Sequence, residues 1–280
     1  MIYATLNTAD WRPAFLIRLS IALHLAALML VLVEPGQWRW ALGGVIANQL
    51  VLTLAGLWPR SNWLGSNWTR LPAAAAARNE VAMTIDDGPD PVVTPQVLDI
   101  LERYAAHATF FCIGDKVARY PDLCRDIVRR GHAVENHSQR HRHSFAFLGY
   151  HGFMRELQAG QETLTAITGQ RPVFFRAPAG LRNPLLDPVL HRLGLQLASW
   201  SVRGFDTRIG DAERIKGKLL GGLRAGAILL LHDGSAARTS AGIPVILEVL
   251  PAVLAAAAAA KLNFVTLRQA SGDCKSREAT

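Results

Sequence analysis

Two long apolar stretches open the chain, and beyond them short apolar runs alternate with amphipathic helical stretches. Pro13 to Val33 and Trp38 to Trp58 each approach the ~20 residues that a helix needs to cross a bilayer. Arg18 and His24 interrupt the first, and Asn48 and Gln49 the second. Arg18 lies near one end, where a long side chain reaches the interface. Trp11, Trp38, Trp40 and Trp58 gather at the ends, as an aromatic belt does. Glu34 to Gln37 makes a turn, so the pattern predicts a helical hairpin with helices at about 13–33 and 38–58 inside an anchoring segment 1–70. A cleaved signal peptide accounts only for the first stretch, and no small-residue cleavage site follows Val33. Two buried helices of a soluble domain are the other reading. Arg12 and Arg18 lie before the hairpin and Arg60, Arg70 and Arg78 after it, whereas the turn holds Arg39 against Glu34. That bias puts both flanks, and with them the C-terminal domain, on the cytoplasmic side of a bacterial-type inner membrane.

The segment 71–79, LPAAAAAR followed by Asn79, is of low complexity and reads as a linker. From 80 to 270 the expected strands are Val81–Ile85, Ala108–Ile113, Ala133–Asn136, Val173–Arg176, Leu195–Ser199, Ala227–Leu231 and Phe264–Leu267. Helices are expected at Thr94–Ala106, Pro121–Arg130, Gly152–Thr168, Pro184–Arg192, Asp211–Arg224 and Ile243–Ala260, the last absorbing the alanine run. Thr94-Pro95 is a start signal, a capping residue followed by proline at the first helical position. Repeated strand–helix units imply a parallel sheet. About seven of them predict an α/β fold, a distorted and incomplete (β/α) barrel, rather than a full eight-stranded one. A polar tail, 271–280, ends the chain.

Composition narrows the picture. Of 280 residues, 50% are apolar and the formal net charge is +8. The arginines are scattered, without the Lys/Arg blocks and interleaved aromatics of a nucleic-acid module, so no nucleic-acid partner is expected. Cys112, Cys124 and Cys274 are an odd set without CxxC spacing, which argues against a disulfide framework or a cysteine zinc site. Cys112 reads as core, Cys124 as helical and Cys274 as part of the tail.

Five polar clusters follow predicted strands. Asp86 and Asp87, in TIDDGP, are adjacent carboxylates that repel when buried unless a cation sits on one of them; alone, Asp-Gly-Pro is also ordinary turn chemistry. His137 and His141, in HSQRH, have i, i+4 spacing that on a helical turn puts two imidazoles on one face. Arg176, in RAPAG, stands where it can orient a carboxylate. WSVRGFD supplies one acid, Asp206, and LLLHD puts His232 straight after a strand, as a general acid requires. One Asp and two His form a facial ligand set with open positions, as a hydrolytic metal site needs. His132 and His143 lack that spacing.

These clusters, in this order, resemble those of the polysaccharide deacetylases of carbohydrate esterase family four, the NodB-homology domain, over roughly Glu80 to Leu267. The resemblance implies an N-acyl hydrolase of amino sugars. It implies that Asp87, His137 and His141 hold a divalent metal, usually zinc, and that Asp86 is the general base, oriented by Arg176. His232 would be the general acid, Ser138 would support the ligand turn, and a backbone amide at Pro178–Ala179 would hold the oxyanion. In the fourth motif Arg203 stands where the family's first acid is expected and Thr207 where its Trp is, leaving Asp206 to pair with His232. Motif three has Ala179 where an aromatic is common. The expected partner is an N-acylated sugar polymer or, given the hairpin and the lipid bilayer it implies, a lipid-linked sugar acted on by a deacetylase or deformylase. A membrane-anchored carbohydrate-binding pseudoenzyme is the non-enzymatic alternative, but no ligand, acid or base of the set is missing.

Overall fold

The structure, a computed structural model, describes residues 11–272. Cys274 and most of the polar tail lie outside the described residues. The chain begins with α1 (Phe15–Val33) and α2 (Trp38–Leu57), joined by a 3₁₀ turn at Pro35–Gln37, and continues through α3 (Ala73–Ala77). Next come β1 (Glu80–Gly88), α4 (Val93–Arg103), β2 (Ala108–Cys112), α5 (Gly114–Arg119), α6 (Pro121–Arg129) and β3 (Ala133–Asn136). After α7 (Tyr150–Thr168) follow β4 (Phe174–Phe175), α8 (Leu186–Leu193), β5 (Gln196–Leu197), β6 (Val202–Arg203) and α9 (Ala212–Gly222). The last elements are β7 (Ile228–His232), α10 (Val245–Ala259), β8 (Asn263–Phe264) and α11 (Leu267–Ser271).

Seven strands run parallel in the order β5-β4-β3-β2-β1-β7-β6, and β8 pairs with the start of β1. β5 and β6 do not meet, so the curled sheet is the expected incomplete barrel. Alternation sorts its faces. Val81, Met83 and Ile85 pack with Leu229 and Leu231 under the outer helices, in a cluster that takes in Val97, Leu101 and Val249. Ala82, Phe111, Phe174, Trp200, Ile228 and Leu230 line the interior. Asp86 has the parity of Ala82 and Thr84, so it points inward at the C-terminal end of β1, opposite His232 of β7 in register. That end of the barrel is where such folds keep their chemistry.

Several expectations need correction. Of the last predicted strand, Phe264–Leu267, only Phe264 lies in a strand, paired with Asn263 before it, because Thr266 caps a helix instead: its side chain and that of Gln269 bond reciprocally to each other's backbone. The fourth polar cluster contains an unpredicted strand, β6. The alanine segment of the predicted linker forms α3, with Ala75 fully buried.

α1 and α2 are long and apolar enough to cross a membrane. Three of the residues that interrupt their apolar patterns gather around Ser20: Asn48 Nδ2 donates to Ser20 Oγ at 2.8 Å, His24 Nδ1 bonds Ser20 O at 2.7 Å, and Gln49 Nε2 lies 3.3 Å from His24 Nε2. Polar side chains paired between helices keep the outward faces apolar. Leu19, Ile21, Leu25, Leu28 and Leu32 are exposed along α1.

Candidate metal and hydrolytic site

Asp86 and Asp87 are neighbours on a strand and ought to point to opposite faces. A register shift between Asp86 and Gly88 breaks the alternation, and Asp87 takes a left-handed backbone, φ 74°. Both carboxylates therefore reach the same mouth. His137 and His141 reach it from the loop after β3. The pair is not on a helical turn, as its spacing suggested: Ser138 and His141 both have positive φ, 65° and 49°. The loop is held by side chains instead. Asn136 Oδ1 accepts from Ser138 N at 2.8 Å, Ser138 Oγ accepts from His141 N at 3.0 Å, and Glu156 Oε2 accepts from Arg140 N at 3.1 Å.

His137 Nε2 and His141 Nε2 each lie 3.2 Å from Asp87 Oδ1. One ligand atom from each of the three residues falls within 4.8 Å of the others. The other ring nitrogen of His137, Nδ1, bonds the Arg176 carbonyl at 2.8 Å. Donating there leaves an Nε2 lone pair aimed at Asp87 and fixes the ring's orientation and tautomer, as a histidine needs in order to bind a metal. Burial, then the charge of His137, pulls His141 down to about 4, so its imidazole is neutral at physiological pH. Burial alone would raise Asp87, but the hydrogen bond and charge of His137, with His232 and His141, hold it far below the usual carboxylate range. A carboxylate and two imidazoles with open sides fit a divalent ion.

Arg176 is fully buried. Its Nη1 donates to Asp86 Oδ1 at 2.7 Å and to Thr84 Oγ1 at 2.8 Å; Nε and Nη2 donate to the carbonyls of Ala198 and Ser199. The Phe111 ring lies beneath it, 4.1 Å away. With all three guanidinium nitrogens engaged, Arg176 fixes one oxygen of Asp86 and leaves Oδ2 facing the cluster, 4.0 Å from His137 Nε2. Asp206, fully buried, accepts twice from His232: at Oδ2 from its amide, 2.7 Å, and at Oδ1 from Nδ1, 2.9 Å. Burial pulls His232 down, but the Asp206 hydrogen bond and charge, with Asp86 and Asp87, outweigh it and leave its pKa raised. Pro178 and Ala179 form the turn immediately after Arg176. Ala179 is left-handed, φ 54°, and none of the hydrogen bonds of the described residues uses its amide.

The residues named in the sequence as ligands, base and acid, with Arg176 and Asp206, thus lie at one end of the barrel. Others there went unnoticed. Ser235 Oγ donates to Asp87 Oδ2, and Lys116 Nζ donates to Asp87 O at 2.7 Å. Thr94 Oγ1 donates to Asp233 Oδ2 at 2.5 Å; burial, opposed by that bond and assisted by the charge of Asp87, raises Asp233 to about 7. Trp200 stacks 5.8 Å from the Arg176 guanidinium.

Comparison with known proteins agrees with this geometry. The family described as polysaccharide deacetylase matches residues 73–198. A chitooligosaccharide deacetylase of Bradyrhizobium sp. (strain ANU 289) is 36% identical over 172 residues, 59% of this chain and 78% of that protein. A peptidoglycan-N-acetylglucosamine deacetylase of Bacillus cereus is 33% identical over 173 residues, 61% of this chain and 80% of that one. The solved structure of the peptidoglycan deacetylase PdaC from Bacillus subtilis superposes with a TM-score of 0.61 at 28% identity, covering 71% of this chain and 93% of its own.

Proposed function

The chain belongs to the polysaccharide deacetylase family, and from that premise we propose that it hydrolyses the N-acetyl group of an amino sugar using zinc held by Asp87, His137 and His141. It is a carbohydrate deacetylase, a hydrolase of linear amide bonds. The observation that carries the finer reading is the meeting of those three ligand atoms beside the free oxygen of Asp86. Lewis acidity is what an ion in that site supplies, since it draws electron density from an acyl carbonyl and makes water easier to deprotonate.

The residues of the chain supply the rest. Asp86 Oδ2, left open by Arg176, accepts the proton of the attacking water. The amide N–H at Ala179 donates to the developing oxyanion, and its freedom from other bonds supports that role. His232 carries the proton that must reach the amide nitrogen. Asp206 holds Nδ1–H, so Nε2–H is the donor presented to the leaving amine. The C–N bond then breaks to release a neutral amine and acetic acid, which loses its proton to solvent as acetate.

The hairpin 1–70 is proposed as a membrane anchor and 80–270 as the catalytic unit. Support comes from the exposed apolar faces of α1, which a water-soluble molecule would bury, and from the docking of α2 on the barrel, which a cleaved leader would not need.

Acetate release from a panel of N-acetylglucosaminides tests the base. Asp86→Asn is expected to retain metal while kcat falls by at least about 100-fold. Turnover near that of the unaltered protein, with metal bound, would remove Asp86 from the mechanism.

A further inference from the structure

The end of the apolar hairpin is built into the rim of the catalytic mouth. Gly56, in the last turn of α2, is buried; its carbonyl accepts from Arg182 N at 3.2 Å, and an added Cβ would stand 2.2 Å from Arg182 O. Pro59, just past α2, touches the turn that carries Ala179. A Cβ on Gly180 would meet Pro59 Cβ at 2.6 Å and Trp200 Cη2 at 2.7 Å. Arg60 Nη1 donates to Ser201 O at 3.2 Å, and Arg182 Nη2 to Ser61 O at 2.5 Å. A single side chain, Pro59, thus separates the hydrophobic hairpin from the oxyanion turn.

Exposed apolar residues continue from that point. Asn183 Nδ2 donates to Ala146 O and Leu148 O, both at 2.9 Å, which ties the loop after His141 to the segment on which α2 docks. Phe147 in that loop is 88% exposed. Trp58 and Trp63 are exposed too, in edge contact at 6.4 Å, the chemistry of a membrane–water interface.

Arg203 adds a charge. In register it lies opposite Leu230, which lines the barrel interior, whereas Val202 lies opposite outward-facing Leu229. Its guanidinium rests 5.2 Å from the Trp200 ring and 5.0 Å from the Phe205 ring. Lys218 Nζ is 4.6 Å from the same Phe205 ring. Among the described residues Arg203 pairs with no carboxylate, and its buried Nε has no acceptor. A guanidinium at the mouth with no carboxylate partner can receive an anionic substrate group through charge-assisted hydrogen bonds.

We propose that the substrate is a lipid-anchored N-acyl amino sugar whose sugar and lipid are joined through a phosphate-like acidic group, presented to Asp86 and His232 from the membrane interface, with Arg203 receiving the acid. The proposal rests on the deacetylase reading above. A sugar polymer leaving the cleft on the Trp200 side would run into the lipid headgroups, whereas a lipid-carried sugar enters from them.

The test uses the full chain, zinc-loaded, in lipid–detergent micelles. It compares acetate release from N-acetylglucosaminyl phosphate esterified to a short prenol, from octyl N-acetylglucosaminide, and from N-acetylchitotetraose. The phosphate-linked lipid is expected to exceed the tetraose in kcat/KM by at least about tenfold, because enzyme and substrate share the micelle. Arg203→Ala is expected to cut the preference for the phosphate-linked over the neutral lipid by about tenfold, mainly through KM; the preference is measured within one variant, so partial misfolding does not alter it. Equal or better turnover of the tetraose, or an unchanged preference in Arg203→Ala, overturns the lipid proposal and leaves the deacetylase reading standing. No acetate from any of the three overturns both.

Discussion

Adjacent carboxylates that do different work need different surroundings, and the bulge at the end of β1 provides them. Asp86 keeps the inward direction of its strand and meets a buried guanidinium; Asp87 turns away through a left-handed backbone and meets two imidazoles. His232 depends on its neighbour in the same way. Burial depresses its pKa and Asp206 restores it. The general-acid role proposed for His232 requires a protonated ring, so the rate is expected to fall as pH rises through that pKa. Asp206→Asn removes the raising charge, and the alkaline limb of the kcat–pH profile is expected to move to lower pH. A limb that stays in place would mean that Asp206 does not set the charge state of His232. The residues of this site were legible in the sequence where chemistry is unusual over a short span: two acids side by side, two histidines four apart, a histidine closing an apolar run. Ser235, Thr84 and Lys116 carry no such signal. They act through contacts between segments distant in sequence, such as the Lys116–Asp87 bond across 29 positions, which only the folded barrel creates.

At the scale of elements, the ligand loop is only as well placed as the helix beneath it. Gly160 of α7 lies against that loop: an added Cβ would stand 2.8 Å from Asn136 Oδ1 and 3.2 Å from the Ser138 carbonyl carbon. Asn136 Oδ1 is the acceptor that holds Ser138, so displacing it moves His137 and His141 together. Gly160→Val is expected to weaken zinc affinity by at least about tenfold while costing about 1–3 kcal/mol of stability. Competition with a chromophoric chelator measures this, and affinity equal to the unaltered protein would show that the loop does not rely on α7. The same elements mark how far the sequence could be read. β1, β2, β3 and β7 run for four to nine residues and contain or closely match the expected strands. β4, β5, β6 and β8 are two residues each, and their extension comes from pairing rather than local pattern. β6 lay hidden inside WSVRGFD for that reason. The histidine loop misled differently, because i, i+4 spacing implies one face only if the backbone is helical, and here Asn136, Ser138 and Glu156 hold it in another shape.

In the whole molecule, the barrel carries the candidate site and the hairpin docks on its rim. The curled parallel sheet was predictable from the repetition of strand and helix, since such units bury both sheet faces only in a few ways. The docking of the hairpin on the motif-three turn was not, because hydropathy reveals that a segment is apolar but not what its end touches. The proposed ligands come from two places fifty residues apart in the chain, Asp87 after β1 and His137 with His141 after β3. Only the folded sheet brings them together, so metal binding and folding are linked. The most direct test of the account is therefore the metal content of the purified full chain after zinc loading and gel filtration, measured by elemental analysis beside that of His137→Ala. About one zinc per chain is expected for the unaltered protein, as befits a single three-ligand site, with little retained by the variant. An unaltered chain that elutes free of metal, or a His137→Ala chain that holds as much, would contradict it.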